Sequence, residues 1–314
     1  MKIGTIFTNL FRPVPPQPVD PVQLIAGGPN APHLAQRPKD WEEGLIDGGG
    51  WAAQVKLDGI RCLHIDGRLV TLEGQPFNAA RHCLPALRDL ESTYDEPMFF
   101  DMEYVEEDGF DATVSAYKKG EGQGVCWVFD AVPMREWHDD RGTLRWSSRT
   151  AQLHAHYVAA KSPWVGVLES FDVCSDVTAR HLFTKMRTHG HEGIVLKRRA
   201  SLYRRQRNDD WLRMKPCETT DMRLIDIEGN DKAGARRLVC QDVSGPVILT
   251  SGFSAERATI WANRDLLLGD EHLRGVMVEV EHNGRTAKGK PRHARFSKLR
   301  QDRQPGGVPV QEGR

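Results

Sequence analysis

The chain has 314 residues, enough for two domains of ordinary size, with 39% apolar and 27% charged residues, the usual balance of a globular protein. A formal net charge of +0 excludes a uniformly basic surface, so any contact with nucleic acid must come from local patches. There is no apolar run of about eighteen residues and no leader-like start, which predicts neither a membrane span nor secretion.

The six cysteines (62, 83, 126, 174, 217 and 240) contain no C-x-x-C pair. That spacing argues against structural zinc and fits reduced thiols in a cytoplasm. Residues 12–50 are rich in Pro and Gly, as in Arg12-Pro13-Val14-Pro15-Pro16 and Gly48-Gly49-Gly50, and predict an extended arm with little regular structure.

The next stretch organises the chain. Trp51-Ala52-Ala53-Gln54-Val55-Lys56 reads as a strand, Asp58-Gly59 as a turn, and Arg61–Ile65 as a second strand that ends at Asp66-Gly67. This predicts a hairpin with Lys56 at its rim, where a neighbouring acid and cation can tune the amine toward nucleophilic use. Ala79–Glu91 places Leu84, Leu87 and Leu90 on one helical face. Pro97–Val105 is a mostly apolar strand that carries Asp101 and Glu103 at period two, a costly placement unless the acids have work. Gly124–Val132 is another apolar strand, containing Phe129. Residues 147–160 predict an amphipathic helix opened by Ser147-Ser148. Asp176–Thr188 predicts a second helix, with Val177, Leu182, Phe183 and Met186 inward.

Gly190-His191-Glu192-Gly193-Ile194-Val195-Leu196-Lys197 opens a strand behind a carboxylate able to meet a hydrated divalent metal. A basic loop, Arg198–Arg207, leads to Trp211-Leu212-Arg213-Met214-Lys215-Pro216. Beyond Pro216 the pattern changes to short strands at Met222–Ile227, Arg237–Val243, Val247–Thr250 and Gly275–Glu281, with turns at Glu228-Gly229-Asn230, Ser244-Gly245-Pro246 and Asn283-Gly284 and a helix at Ala255–Asn263. That spacing predicts a small OB-type barrel. The run from Arg285 to Arg303 is strongly basic, and 305–314 reads as a frayed tail.

Lys56-Leu57-Asp58-Gly59-Ile60-Arg61 resembles motif I of the covalent nucleotidyltransferases: ATP-dependent DNA ligases, RNA ligases and mRNA-capping guanylyltransferases. Asp101-Met102-Glu103, the Phe129 strand, Glu192–Lys197, Trp211–Pro216 and Arg300-Gln301-Asp302-Arg303 resemble the family's later motifs, in order. The details look most like small bacteriophage ATP-dependent DNA ligases. The resemblance implies an α+β fold: an arm over 1–50, a nucleotidyltransferase domain over 51–216 and an OB-fold domain over 217–304, joined at a hinge near Pro216–Thr220. It implies that Lys56 attacks ATP and carries AMP, which passes to the 5′-phosphate of a DNA nick before the 3′-hydroxyl seals it.

By the same resemblance Arg61 and Glu103 contact the ribose, Phe129 stacks on adenine, Gln54 reads its edge, and Arg213 and Lys215 hold the α-phosphate. Arg300 orients the leaving pyrophosphate, and Glu103 and Glu192 serve Mg²⁺, for which Mn²⁺ can substitute. Lys288, Lys290, Arg292 and Arg295 face DNA. The implied partner is nicked duplex DNA, bound by a monomer in the cytoplasm (the host's, if phage-encoded). Two departures stand out. Arg213 takes the place of a usual lysine, and Leu72 stands in Thr71-Leu72-Glu73-Gly74 where the ligases have an arginine for the nick phosphate. An RNA ligase or a capping guanylyltransferase shares motif I, and a non-catalytic nucleic-acid-binding module could keep the fold.

Overall fold

The computed structural model describes residues 34–46, 49–269, 276–286 and 288–300. The expected arm before residue 34, Gln301-Asp302-Arg303 and the expected tail lie outside the described residues. The chain divides into two compact units between Met214 and Lys215.

The first unit contains β1 (Arg37–Asp40), β2 (Trp51–Lys56), β3 (Ile60–Ile65), β4 (Arg68–Val70), β5 (Met98–Val105), β6 (Val125–Pro133), β7 (Val165–Val167), β8 (Ser170–Val173), β9 (Gly193–Arg198) and β10 (Arg207–Met214). Its helices are α1 (Leu84–Glu91), α2 (Phe110–Lys119), α3 (Met134–His138), α4 (Trp146–Ala159) and α5 (Asp176–Thr188). The strands form two five-stranded sheets, ordered β1-β10-β9-β2-β8 and β4-β3-β5-β6-β7.

The period-two pattern of β2 assigns its faces. Trp51 and Ala53 pack with Leu182 and Met186 of α5 on the outer side, while Gln54 and Lys56 line a cavity. Leu63, Phe99, Phe129 and Trp211, drawn from both sheets, share one core. On the far side of the second sheet, Leu87, Met102, Val128 and Leu153 form another.

Several local expectations change. β2 and β3 do not pair; they belong to different sheets, so Lys56 ends one sheet at a crossing instead of rimming a hairpin. Two alternating strands around Asp-Gly look alike in either case, because the pattern does not name the partner. The hairpin lies one turn later, where Asp66 and Gly67 take φ of 48° and 73° between the paired strands β3 and β4. Gly59 answers to crowding, since a Cβ there would sit 2.4 Å from the Tyr104 carbonyl oxygen. The segment before α1 is a 3₁₀ turn, Asn78–Cys83. α4 starts behind Arg145 without a side-chain cap, so Ser147 and Ser148 lie inside the helix. α5 matches its expected span, with the Ser175 hydroxyl accepting from the Thr178 N–H, but Val177 is 73% exposed.

The second unit holds β11 (Glu218–Asn230), β12 (Gly234–Asp242), β13 (Gly245–Leu249), α6 (Arg257–Ala262), α7 (Arg264–Leu268), β14 (Met277–His282) and β15 (Arg295–Arg300). Its sheet runs β13-β12-β11-β14-β15, every neighbour antiparallel. The expected turn at Glu228-Gly229-Asn230 is instead the end of the long strand β11. Part of the basic run is an edge strand, β15. Among the described residues no ladder joins β13 to β15, so the sheet is not a closed barrel; a single bond from the Phe296 N–H to the Ser251 carbonyl spans the gap. Strand count and alternation are sequence properties, whereas closure depends on tilt and shear.

Candidate functional site

A cavity of about 330 Å³ opens in the first unit, lined in part by Gln54, Lys56, Arg61, Leu72, Glu103, Phe129, Lys197, Trp211 and Arg213. Six of the residues singled out from sequence therefore share one wall system: Gln54, Lys56, Arg61, Glu103, Phe129 and Arg213.

The β2–β9 register sets Lys56 opposite Gly193, which brings the Lys56 ammonium into an ion pair with Glu192 Oε2. Arg61 is directed by β3. Its Nε and Nη2 donate to the two Asp101 oxygens at 2.7 and 2.5 Å, and Nη2 also donates to the Gln36 carbonyl at 2.7 Å. Burial opposes the Arg61 charge, and Asp101 outweighs it, so the guanidinium pKa is raised. Asp101 also accepts from the Tyr203 hydroxyl at 2.7 Å. Of the two acids expected on one face, Asp101 is thus a buried anchor and Glu103 a cavity residue. Burial pushes the Glu103 carboxyl up to about 7, against the pull of Lys56 and Arg61.

Phe129 reaches the cavity by an irregularity. The β5–β6 register shifts between Asp101 and Met102, so that Phe129 is the unpaired residue of a bulge. Its ring meets Trp211 edge-on at 6.1 Å. Gln54 is 2% exposed; its Nε2 donates to the Leu168 carbonyl at 3.1 Å, while its Oε1 is buried with no donor among the described residues. Arg213 lines the cavity but holds Asp40 through Nε at 2.6 Å.

The cavity lining comes from the first unit alone, and Lys215, Arg300 and the four cations expected to face DNA belong to the second. Arg300 is paired with Asp221 at 3.3 Å and Glu279 at 3.0 Å, and Arg295 with Glu281 at 2.8 Å. Lys288 and Lys290 are exposed, and Arg292 is half-buried. Carboxylates thus already hold three of the cations expected to hold phosphate or face DNA: Arg213, Arg295 and Arg300.

Lys197 had no role from sequence, although it shares period two with Val195 on the cavity side of β9. It is 1% exposed, donates to the Phe129 carbonyl at 2.9 Å, and lies over the rings of Trp211 at 4.1 Å and Phe129 at 4.6 Å. Burial, only partly offset by Asp130 and Asp101, lowers its pKa to about 7. An amine lowered in the fold holds fewer protons than in the unfolded chain between pH 7 and its ordinary value. Stability through this group therefore rises with pH across that window. We expect the wild type to gain stability from pH 7.5 to 9.5 in urea melts, and Lys197→Met to lose that gain. An unchanged pH slope in the variant would assign the gain elsewhere.

No known protein-family profile matches the chain. In sequence it is similar to the multifunctional non-homologous end joining protein LigD of Pseudomonas aeruginosa, 29% identical over 199 aligned residues, with 60% of this chain covered. The chain spans 22% of the length of that relative. In structure it is similar to one described as Pmar-Lig_PreS3, with a TM-score of 0.70 and 20% identity over 85% of this chain and 67% of the other. It is also similar to a structure from a structure-function analysis of Lig E DNA ligases, with a TM-score of 0.64 and 20% identity over 85% of this chain and 98% of the other. The chain shares the mixed α+β fold of these solved structures.

Proposed function

We propose that this chain, which has the fold of the ATP-dependent DNA ligases, seals nicks in duplex DNA through a lysyl-AMP intermediate. The observation that carries this reading is Lys56 in contact with Glu192 at the edge of a cavity walled by Phe129 and Trp211. In this reading Phe129 stacks on adenine, which is worth roughly 1–3 kcal/mol for any base. Specificity then falls to Gln54. Its partnerless Oε1 can accept from the exocyclic amine of adenine, whereas guanine offers an acceptor at that position. This favours ATP and weighs against a capping guanylyltransferase.

Lys56 must shed a proton before it attacks, and Glu192 Oε2 is the acceptor in contact with it. The Nζ–Pα bond forms as the bond to pyrophosphate breaks. AMP then passes to the 5′-phosphate, and the 3′-hydroxyl displaces it. Arg61, fixed by Asp101, orients the ribose with Glu103, and Arg213 and Lys215 hold the α-phosphate. Each step is an in-line phosphoryl transfer, in which positioning and charge neutralisation carry the catalysis.

Among the described residues no cluster of three or more metal-ligating side chains forms a closed metal cage. Glu103 and Glu192 interact electrostatically across the site, and such a sparse oxygen donor set suits Mg²⁺, which keeps its waters and binds mainly through substrate phosphates. When bound, the ion would neutralise charge on the transferring phosphoryl group. Glu192→Ala should slow lysyl-AMP formation by about a hundredfold or more, the scale of losing one electrostatic stabiliser. Glu103→Ala should do likewise without loss of fold, since it removes a desolvated carboxyl. Unchanged rates across a Mg²⁺ titration would exclude both acids as metal partners.

The second unit is read as the OB-fold partner. Its exposed Lys288 and Lys290, with Arg292 and Arg295, offer the duplex a basic face, and the enzyme acts as a monomer in the cytoplasm. The free thiols of all six cysteines fit that reducing compartment. The test is incubation with α-labelled ATP or GTP followed by a chase with nicked duplex DNA or nicked RNA. Label on Lys56 from ATP that leaves as the DNA nick closes supports the reading; label from GTP, or sealing of RNA alone, overturns it.

A further inference from the structure

The cations on the cavity wall are not equally engaged. Lys56 holds Glu192, Arg61 holds Asp101, Arg213 holds Asp40, and Lys197 donates to the Phe129 carbonyl. Two others line the same cavity, Arg37 and Arg207. Their Cα atoms are register partners in the parallel β1–β10 ladder, on strands about 4.8 Å apart. Among the described residues Arg207 Nη1 donates only to the Pro38 carbonyl, at 3.1 Å. Arg37 Nε is buried with no acceptor among the described residues. The adjacent Lys39 and Asp209 neutralise each other at 2.6 Å and leave nothing for the arginines. Two guanidinium groups carried by register partners and lining one cavity, with no carboxylate paired to either among the described residues, repel one another, and a shared anion turns that repulsion into attraction.

We infer that Arg37 and Arg207 form a phosphate clamp at the cavity, taking a phosphate ester of a nucleic-acid reactant. The planar fork of each guanidinium matches phosphoryl oxygens two at a time. The same cavity wall carries Leu72, where a cation for the nick phosphate is expected but absent, and the clamp supplies the missing charge from a different strand pair. The phosphate belongs to the 5′ end of a nick or to the triphosphate of the nucleotide; the biological assignment rests on the ligase reading.

The test compares the full chain with R37Q/R207Q and R37K/R207K. The first readout needs no catalysis: thermal stabilisation by inorganic tripolyphosphate. The glutamine pair should bind it at least tenfold more weakly, and the lysine pair should fall between. The second readout is the KM for ATP in lysine adenylylation, and the third is the preference for nicks ending in 5′-phosphate over 5′-hydroxyl. A tenfold rise in the ATP KM assigns the clamp to the nucleotide. An unchanged ATP KM with loss of the 5′-phosphate preference assigns it to the nick. Wild-type affinity for tripolyphosphate together with unchanged second and third readouts overturns the clamp. If no adenylate ever forms, the ligase reading fails while the tripolyphosphate readout still decides the clamp. If R37Q/R207Q does not fold, R207Q alone, which loses a single bond to a backbone carbonyl, should weaken anion binding several-fold, and no change there overturns the proposal.

Discussion

Lys56→Ala is expected to abolish labelling by ATP and to reduce overall sealing by at least about three orders of magnitude, while sealing of nicks that already carry AMP persists. In the proposed reading the amine is the attacking atom, and alanine offers no substitute. Lys197 cannot stand in for it: although burial lowers its pKa to about 7, its Nζ is committed to the Phe129 carbonyl and closed over by Trp211 and Phe129. The variant should melt near the wild type, since an ion pair with both side chains partly in water contributes little to stability. Full sealing with unadenylylated nicks would end the ligase reading. Failure on pre-adenylylated nicks as well would mean that Lys56 also acts on DNA, or that the variant is misfolded, which its melting curve would show.

The largest loss of stability is expected from Asp130→Ala. Arg149 donates to Asp130 through Nε at 2.7 Å and Nη2 at 2.8 Å, and both side chains are all but sealed from water. The remaining Arg149 bonds go to the Leu144 and Ser201 carbonyls at 2.6 and 3.2 Å. Together they tie α4 and the segment after β9 to β6, the strand that carries Phe129. Removing one partner of such a pair strands a buried charge, at about 3–5 kcal/mol. For a unit of this size that is a fall of roughly 6–20 °C in Tm. Replacing both partners, as Asp130→Leu with Arg149→Met, should recover most of the loss, because an apolar pair of similar volume needs no desolvation. A fall of less than about 1 kcal/mol in urea unfolding of the single variant would show that the pair is solvated and that α4 is held by its apolar face alone.

What the sequence by itself determined is local and periodic. The Asp66-Gly67 hairpin follows from a turn chemistry confined to two residues. α5 follows from a helical apolar face, over its full span. The order of the Lys56, Glu192 and Trp211 stretches along the chain pointed to one enzyme fold, since such motifs keep their spacing whatever surrounds them.

The tertiary structure decided which charges are available. Arg61 and Asp101 are 40 residues apart, Lys56 and Glu192 136, and Arg213 and Asp40 173. No periodicity reports a partner at such range, because the energy of a buried ion is set by the whole of its surroundings. The bulge that turns Phe129 into the cavity depends on the register of β6 against β5, and the crossing at Lys56 depends on which strands pair with β2 and β3. Lys197, indistinguishable in sequence from any lysine at the end of a strand, became part of the site only when two sheets closed over it.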